Sequence, residues 1–159
     1  LPDGAFGAMG GMLTSTNDLA RYVGFLMKAW PPRDGPDAGP VKRSSLREMQ
    51  QAVRARPATA TGGGAVPLQL NVNAYGYGLR IRQTCDYRHI VSHSGGLPGF
   101  GSQMRWLSEE GIGLIAMGNL TYTGWDAVFD VVTATLADAG LVVRRPPTPS
   151  PALLQAQAD

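Results

Sequence analysis

The chain has 159 residues, of which 43% are hydrophobic and 16% charged, a composition that describes a globular domain and excludes a disordered chain. Its formal net charge of +2, spread over scattered arginines, argues against a nucleic-acid partner. The single cysteine, Cys85, excludes an intrachain disulfide, and no apolar run reaches the ~20 residues that a membrane helix needs.

Two helices are predicted in the first third of the chain. Ser15 followed three residues later by Asp18 matches a capping box, and apolar residues then recur at helical spacing: Leu19, Tyr22 or Val23, and Leu26. Trp30-Pro31-Pro32 ends this helix, and residues 31–43 form a Pro/Gly-rich loop. A short helix opened by Ser44 or Ser45 then extends through Met49 and Val53.

The middle of the chain changes to strand periodicity. Residues 54–74 contain Gly62-Gly63-Gly64 and are predicted to be a surface excursion with little order. Tyr75–Arg82 and His89–His93 alternate like strands, and a hairpin joins strands near Gln103–Leu107 and Ile112–Gly118.

The last predicted helix opens with a second capping box, Thr123 to Asp126, and stops at Gly140. Its apolar stripe contains Trp125, Val128 or Phe129, Val132 and Leu136. The order of elements predicts an α+β fold, with an antiparallel sheet of about three strands flanked by helices. We predict one domain over residues 1–143 and a Pro-rich linker or tail over residues 144–159.

The histidines are the first candidate site. His89 and His93 are four residues apart, but Ile90 and Val91 favour a strand, on which four residues span about 13 Å. That distance is too long for one shared ion, so no metal site is predicted, and His89 is interpreted as an ordinary sheet residue. Ser15-x-Asn17 resembles a catalytic Ser-x-Asn element, but its position favours a helix cap.

The segment His93-Ser94-Gly95-Gly96 is the second candidate. A strand that ends in two glycines allows a ligand or another backbone to approach closely, because no side chain keeps it away. A simple exit from a strand into a turn explains the same residues equally well.

Four segments together resemble the β-lactamase and penicillin-binding-protein superfamily of serine hydrolases. Residues 10–21 resemble a helix entry in the second half of that domain, and Tyr77-Gly78-Leu79 resembles the strand ahead of its third motif. The third motif itself, His/Lys-Thr/Ser-Gly, is similar to His93-Ser94-Gly95 and its continuation to Phe100. Residues 111–119 resemble the last strand. The similarity covers roughly residues 4–140 and does not separate class C β-lactamases, D-alanyl-D-alanine peptidases and esterases.

The resemblance implies the C-terminal half of such a domain. In this superfamily, the serine of a Ser-x-x-Lys motif attacks an ester or amide carbonyl to form an acyl-enzyme. By the match, Gly96 would donate its backbone N–H to the oxyanion hole, whose other donor comes from the serine. Ser94 and Gly95 would bind the substrate, and His93 would take the position usually held by Lys. Neither a cofactor nor a metal is expected.

Histidine at position 93 affects which class of substrate the site would favour. Free Lys titrates near pKa ~10.4 and free His near ~6.5, so His93 would be only partly charged at neutral pH. It would therefore hold a substrate carboxylate less strongly than Lys. The sequence favours an esterase or peptidase over an efficient β-lactamase, although some D-alanyl-D-alanine peptidases also have His here.

The nucleophile is missing from the chain. Neither Lys28 nor Lys42 has Ser or Thr three residues before it, and no Tyr-x-Asn occurs. The chain alone is therefore predicted to be inactive, and we interpret it as a piece of a longer protein. In the superfamily, two strands from outside this region complete the sheet. We therefore expect an unpaired apolar edge that binds the missing N-terminal half or a second copy.

A second function is compatible with the same residues: a non-catalytic module that binds a peptide or cell-wall ligand. An upstream Ser-x-x-Lys would indicate the enzyme, and its loss would indicate the binding module. In both cases the expected ligand is a small-molecule or peptide-like acyl compound. The resemblance points to a bacterial periplasm or cell envelope, while the sequence itself leaves the compartment open.

Overall fold

A computed structural model of the chain describes residues 4–32, 37, 39–63 and 66–145. Nearly all of the predicted tail over 144–159 and part of the predicted loop over 31–43 lie outside these residues. After a 3-10 turn over Gly4–Phe6, the helices are α1 (Gly7–Gly10), α2 (Thr16–Met27), α3 (Arg43–Met49) and α4 (Asp126–Asp138).

The strands form one antiparallel sheet. They are β1 (Arg54–Ala55), β2 (Thr59–Gly63), β3 (Val66–Tyr75), β4 (Arg80–Gln83), β5 (Ile90–Leu97), β6 (Phe100–Leu107) and β7 (Ile112–Gly118). Their order in the sheet is β1-β3-β4-β5-β6-β7, and β2 also pairs with β3. The α+β class is confirmed, but the expectation of about three strands is wrong because the described sheet has seven.

The extra strands come mostly from residues 54–74, for which little order was predicted. The glycines near position 63 concealed a strand pattern on either side of them. Leu70, Val72 and Ala74 alternate with polar residues, as a strand requires, and β2 pairs with this segment from Thr59 to Gly63.

The predicted strand Tyr75–Arg82 is interrupted by a turn over residues 76–79. β3 ends at Tyr75, and β4 begins only at Arg80. Gly76 donates its N–H to the Leu79 carbonyl at 2.8 Å, and Gly78 has a φ of +70°. A left-handed glycine suits a tight turn, so the two glycines break the alternation.

One face of the sheet packs against α2 and α3. The Ser15 cap is confirmed, since its Oγ accepts the Asp18 N–H at 3.2 Å. On α2 the buried residues are Leu19, Val23 and Leu26, which resolves the choice between Tyr22 and Val23 in favour of Val23. The core cluster on this face includes Val23, Leu26, Leu46, Ile81, Val91 and Trp106.

The opposite face is covered by α4. Its predicted Thr123 cap is wrong: Thr123 Oγ1 donates to the Leu120 carbonyl at 2.7 Å, and α4 begins at Asp126 after Trp125. Phe129 is the buried residue of the predicted pair, whereas Val132 is exposed. Gly140, with a φ of +72°, follows the helix end as predicted.

Candidate active-site strand

The candidate residues His93 to Gly96 all lie on β5, at a place where one edge of the strand is open. β6 pairs with β5 along its whole length, from Ile90 to Leu97. On the other side β4 pairs only as far as Ser92. Among the described strands, none pairs with that edge of residues 93–97. The peptide groups there are available to a ligand.

The turn after β5 determines which peptide groups face the open edge. Leu97-Pro98-Gly99-Phe100 forms a two-residue connection in which Gly99 has a φ of +81°. Proline followed by a positive-φ glycine is typical of a type II turn, in which the first carbonyl accepts the fourth N–H. Leu97 and Phe100 therefore form a hydrogen-bonded pair.

Hydrogen-bonded and non-hydrogen-bonded pairs alternate along an antiparallel ladder. Counting back from the turn, Gly95 and His93 bond to β6, while Gly96 and Ser94 direct their N–H and C=O groups to the open edge. Ser92, which has the same parity, is where the β4 ladder stops. The N–H of Gly96 thus points into the space beyond the end of β4.

Both glycines of the motif are fitted closely by their neighbours. A Cβ built on Gly96 would lie 2.1 Å from Cδ1 of Tyr122, and one on Gly95 would lie 2.9 Å from Oγ of Ser102. A side chain at Gly96 would therefore displace an aromatic ring. The two glycines allow neighbouring side chains to pack directly on the strand.

His93 has a hydroxyl partner. The Tyr75 hydroxyl and His93 Nε2 are 3.1 Å apart, and the two rings meet edge-on with centroids 6.3 Å apart. Burial and the positive charge of Arg80 lower the pKa of His93, while a hydrogen bond to the Ser94 backbone opposes them. The imidazole is therefore mostly uncharged at pH 7, and its Nε2 can either accept a hydrogen bond from the Tyr75 hydroxyl or donate one to it.

Ser94 is partly exposed, and strand alternation places its side chain on the face opposite to His93. The structure thus brings the four predicted residues together along one edge, but it separates the imidazole and the hydroxyl across the sheet. A ligand lying along the edge of β5 would contact both faces.

His89 does not join this site. It precedes β5, its Nε2 is 2.8 Å from the Gln50 carbonyl oxygen, and its ring centroid is 4.6 Å from that of Trp30. The structure places it in a packed, partly buried position between α3 and the sheet.

Two residues of the site were missed in the sequence. Tyr75 was assigned to a continuous strand, and its approach to His93 depends on the turn that follows it. Tyr122 carries no sequence signal, because its contact with Gly96 depends on a positive φ of 52°.

A cavity of about 380 Å³ lies elsewhere, between α4 and the first residues of β5. It contains Arg82, Arg105 and Asp130, and both arginines bond to the Asp130 carboxylate. These three charges are thus paired with one another, and none of the residues His93 to Gly96 lines the cavity.

The described residues contain no cluster of three or more His, Cys, Asp or Glu side chains able to hold a metal ion. In the same part of the chain, no helix has both the length and the apolar character needed to cross a bilayer.

A comparison with protein-family models gives one finding. The model described as Beta-lactamase matches residues 1–139 of the chain. No curated protein and no solved structure matches significantly. The matched range contains α1, α2, α3, α4 and all seven described strands.

Proposed function

Since this chain belongs to the β-lactamase family, we propose that it forms one wall of the active site of a serine hydrolase acting on ester or amide bonds. The observation that carries the proposal is the open edge of β5, to which Gly96 directs its N–H. An oxyanion donor alone does not catalyse acyl transfer, because the reaction also requires a nucleophile, and the chain has no Ser-x-x-Lys. The serine is supplied by a segment outside this sequence.

In the proposed reaction, the serine oxygen attacks the carbonyl carbon of the substrate, the C–O or C–N bond breaks, and the serine proton passes to the departing alcohol or amine as the acyl-enzyme forms. Water then hydrolyses the acyl-enzyme and regenerates the serine. Negative charge develops on the carbonyl oxygen during the attack. The Gly96 N–H donates a hydrogen bond to that oxygen, and its fixed position on the sheet means that no reorganisation is needed. The open edge also offers the C=O and N–H of Ser94 to a peptide-like acyl group.

His93 supports an esterase or peptidase over a β-lactamase. Burial and Arg80 lower its pKa, so the imidazole carries little positive charge at neutral pH. A substrate carboxylate beside His93 would therefore be stabilised less strongly than one beside a lysine at the same position. We expect a protein that contains this chain and a Ser-x-x-Lys segment to hydrolyse p-nitrophenyl acetate faster than nitrocefin.

The direct test removes the Gly96 N–H without adding a side chain. Replacing Gly96 by glycolic acid converts the amide to an ester, and the corresponding hydroxy acid at Val91, whose N–H bonds to β6 by the same alternation but lies outside the site, is the control. Loss of one oxyanion donor lowers kcat by about 10²–10³-fold. The Val91 substitution removes a ladder hydrogen bond to β6, so it should lower stability and leave kcat within a few-fold of the parent.

Equal kcat losses at both positions would contradict the role of Gly96. Stoichiometric labelling of this chain alone by a fluorophosphonate or a fluorescent penicillin would contradict the separate claim that the serine lies outside this sequence, because it would require a nucleophile within the chain.

A non-catalytic module is the second candidate, and the open edge of β5 supports it because an added peptide strand needs only free N–H and C=O groups. The two functions differ in one measurement. A fluorophosphonate should label a protein that joins this chain to the rest of its domain if the protein is an enzyme, and should leave a binding module unlabelled.

A further inference from the structure

Tyr75 is the last residue of β3, and the turn that follows it is anchored to the end of α3. Tyr77 donates its N–H to the Met49 carbonyl at 3.1 Å. A Cβ on Gly76 would overlap the carbonyl oxygens of Met49 and Gln51. The backbone next to Tyr75 therefore packs directly on these two carbonyl groups, which only glycine permits. These contacts fix the point from which the Tyr75 side chain extends.

The Tyr75 side chain reaches across the start of β4 to the open edge of β5. Arg80 is the first residue of β4, and it pairs with Tyr75 on one side and with Ser92 on the other. The Tyr75 hydroxyl nevertheless lies 3.1 Å from Nε2 of His93, the first residue beyond the end of the β4 ladder. The contact joins β3 to the strand that carries the candidate site.

The chemistry of the two groups determines the direction of this hydrogen bond. Burial and the charge of Arg80 lower the pKa of His93, so the ring is mostly uncharged at pH 7 and has one nitrogen with a free lone pair. A phenol O–H is a stronger donor than the N–H of uncharged imidazole, and the imidazole lone pair is a stronger acceptor than a phenol oxygen. The favoured arrangement has Tyr75 donating to Nε2.

We propose that Tyr75 is a positioning residue for His93: its hydroxyl donates to Nε2 and thereby keeps the imidazole proton on Nδ1. Which ring nitrogen carries the proton is set by the hydrogen bond that the other nitrogen makes. The inference rests on the proposed function, in which His93 lies beside the substrate. A ring with a fixed proton and no charge offers a hydrogen bond from one defined nitrogen, which suits an uncharged ester or amide better than a carboxylate.

Long-range ¹H–¹⁵N correlation spectra of the ¹⁵N-labelled chain at pH 7.5 test the inference, because protonated and unprotonated ring nitrogens differ in chemical shift. The chain has two histidines, and His89 serves as an internal reference. Its Nε2 lies 2.8 Å from the Gln50 carbonyl oxygen, which can only accept, so Nε2 carries the proton. We expect opposite tautomers, Nε2–H in His89 and Nδ1–H in His93, with His89→Gln assigning the signals.

Tyr75→Phe removes only the hydroxyl and keeps the ring. It should change the tautomer ratio of His93 by about fivefold or more toward Nε2–H, as the loss of one hydrogen bond implies. The pKa of His93 should also rise, because the lost bond favoured the uncharged ring. Arg80→Gln is the control for charge: it should raise the same pKa but leave the proton on Nδ1. Tyr77→Phe removes a hydroxyl two residues away and should change neither quantity.

Two results would overturn the inference and leave the proposed role of Gly96 intact. One is an Nε2–H signal for His93 in the parent, since Tyr75 would then accept the bond. The other is an Nδ1–H signal that persists in Tyr75→Phe, since another group would then set the tautomer. An unchanged His89 pattern shows that the variant keeps its fold, and Tyr75→Met repeats the comparison if that pattern changes.

The proposed function fails by a different measurement. If a fluorophosphonate does not label the protein that joins this chain to the rest of its domain, the hydrolase is contradicted. The tautomer of His93 in this chain is unaffected by that result.

Discussion

At the scale of single residues, one hydrogen bond fixes the tautomer of uncharged His89. The Gln50 carbonyl can only accept, so the Nε2 that lies 2.8 Å from it carries the proton. Nδ1 is buried and has no hydrogen-bond partner. Burial lowers the pKa of His89, against smaller opposing effects of the Gln50 carbonyl and Glu109. Protonating Nδ1 would place an unpaired charge inside the protein.

This arrangement predicts a loss of stability in acid. The unfolded chain, in which His titrates near ~6.5, binds more protons below that pH than the folded chain does. The free energy of unfolding should therefore be highest above pH ~6.5 and fall as the pH drops through the lower pKa of the folded state. Urea unfolding at pH 7.5 and pH 5.5 measures the change.

His89→Gln removes the titrating group, so its stability should depend less on pH than that of the parent. His93→Gln is the comparison variant: the pKa of His93 is also lowered, so this variant should reduce the pH dependence too, but by less, because His93 is less buried. The raised pKa of Glu110, caused mainly by burial, has the opposite sign and acts at pH values above ~4.5, but it is common to the parent and both variants, so comparing them isolates the histidines. An unchanged pH dependence in His89→Gln would contradict this account of His89.

The fit of Gly96 under Tyr122 makes a second prediction for single residues. In Gly96→Ala the new Cβ would overlap the Tyr122 ring, and overpacking of this kind costs about 1–3 kcal/mol. Tyr122→Gly in the same chain removes the ring and should restore most of the loss. Gly124→Ala, where an added Cβ has no neighbour within 4 Å, is the control. No gain in the double variant, measured by denaturant unfolding, would mean that the two positions are not in contact.

At the scale of elements, Gln50 links α2, α3 and β6 through one buried amide. Its Nε2 donates to the Leu46 carbonyl at 2.9 Å and to the Leu26 carbonyl at 3.1 Å. Its Oε1 accepts the Trp106 Nε1–H at 2.9 Å. Gln50 is fully buried, so these bonds exclude water and fix the helices on the sheet.

Gln50→Leu should destabilise the chain by about 2–4 kcal/mol, since it leaves the Trp106 N–H and a helix carbonyl buried without partners. Gln51→Leu, at the exposed neighbouring position, should change stability by less than about 0.5 kcal/mol. Chemical unfolding of the two variants compares them. Similar values would show that the buried amide contributes little to holding α2 and α3 on the sheet.

The sequence predicted elements whose signal is local. Ser15 and Asp18 give α2 its cap, and the short apolar run Ile112–Gly118, which follows the turn at residues 108–111, gives β7. The predictions from sequence were wrong where glycines interrupted a strand pattern, as in β2 and β3, and where a predicted capping residue makes a different hydrogen bond. Thr123 bonds to a carbonyl within its own turn, so it does not cap α4.

At the scale of the molecule, β7 is the outermost strand of the described sheet and pairs only with β6. Because Ile112 and Leu114 bond to β6 by the same alternation, Ile115 and Met117 direct their N–H groups away from the sheet. We propose that this edge binds the rest of the domain or, in its absence, a second copy.

The chain should therefore be dimeric in light scattering at NMR concentrations. Met117→Pro removes one outward N–H, spares the ladder to β6, and should shift the chain toward monomer. Ala116→Pro would break a bond to β6 instead and should unfold the sheet edge. A monomeric parent with a well-dispersed NMR spectrum would contradict an associating edge.

The candidate site was predictable only in part, because some of its features depend on contacts between residues that are distant in the sequence. The order of His93, Ser94, Gly95 and Gly96 fixes which residues lie on the strand, and the Pro-Gly turn fixes which N–H groups face outward. The open edge depends on where β4 stops, and the Tyr75 and Tyr122 contacts depend on turns that no local pattern specifies.

Amide hydrogen exchange at residues 93–96 tests the central claim most directly, namely that Gly96 directs its N–H to an open strand edge. The Ser94 and Gly96 amides should exchange rapidly, and those of His93 and Gly95, bonded to β6, should be protected by about tenfold or more. Protection of Gly96 equal to that of Gly95 would show that its N–H is already bonded, and it would contradict the account.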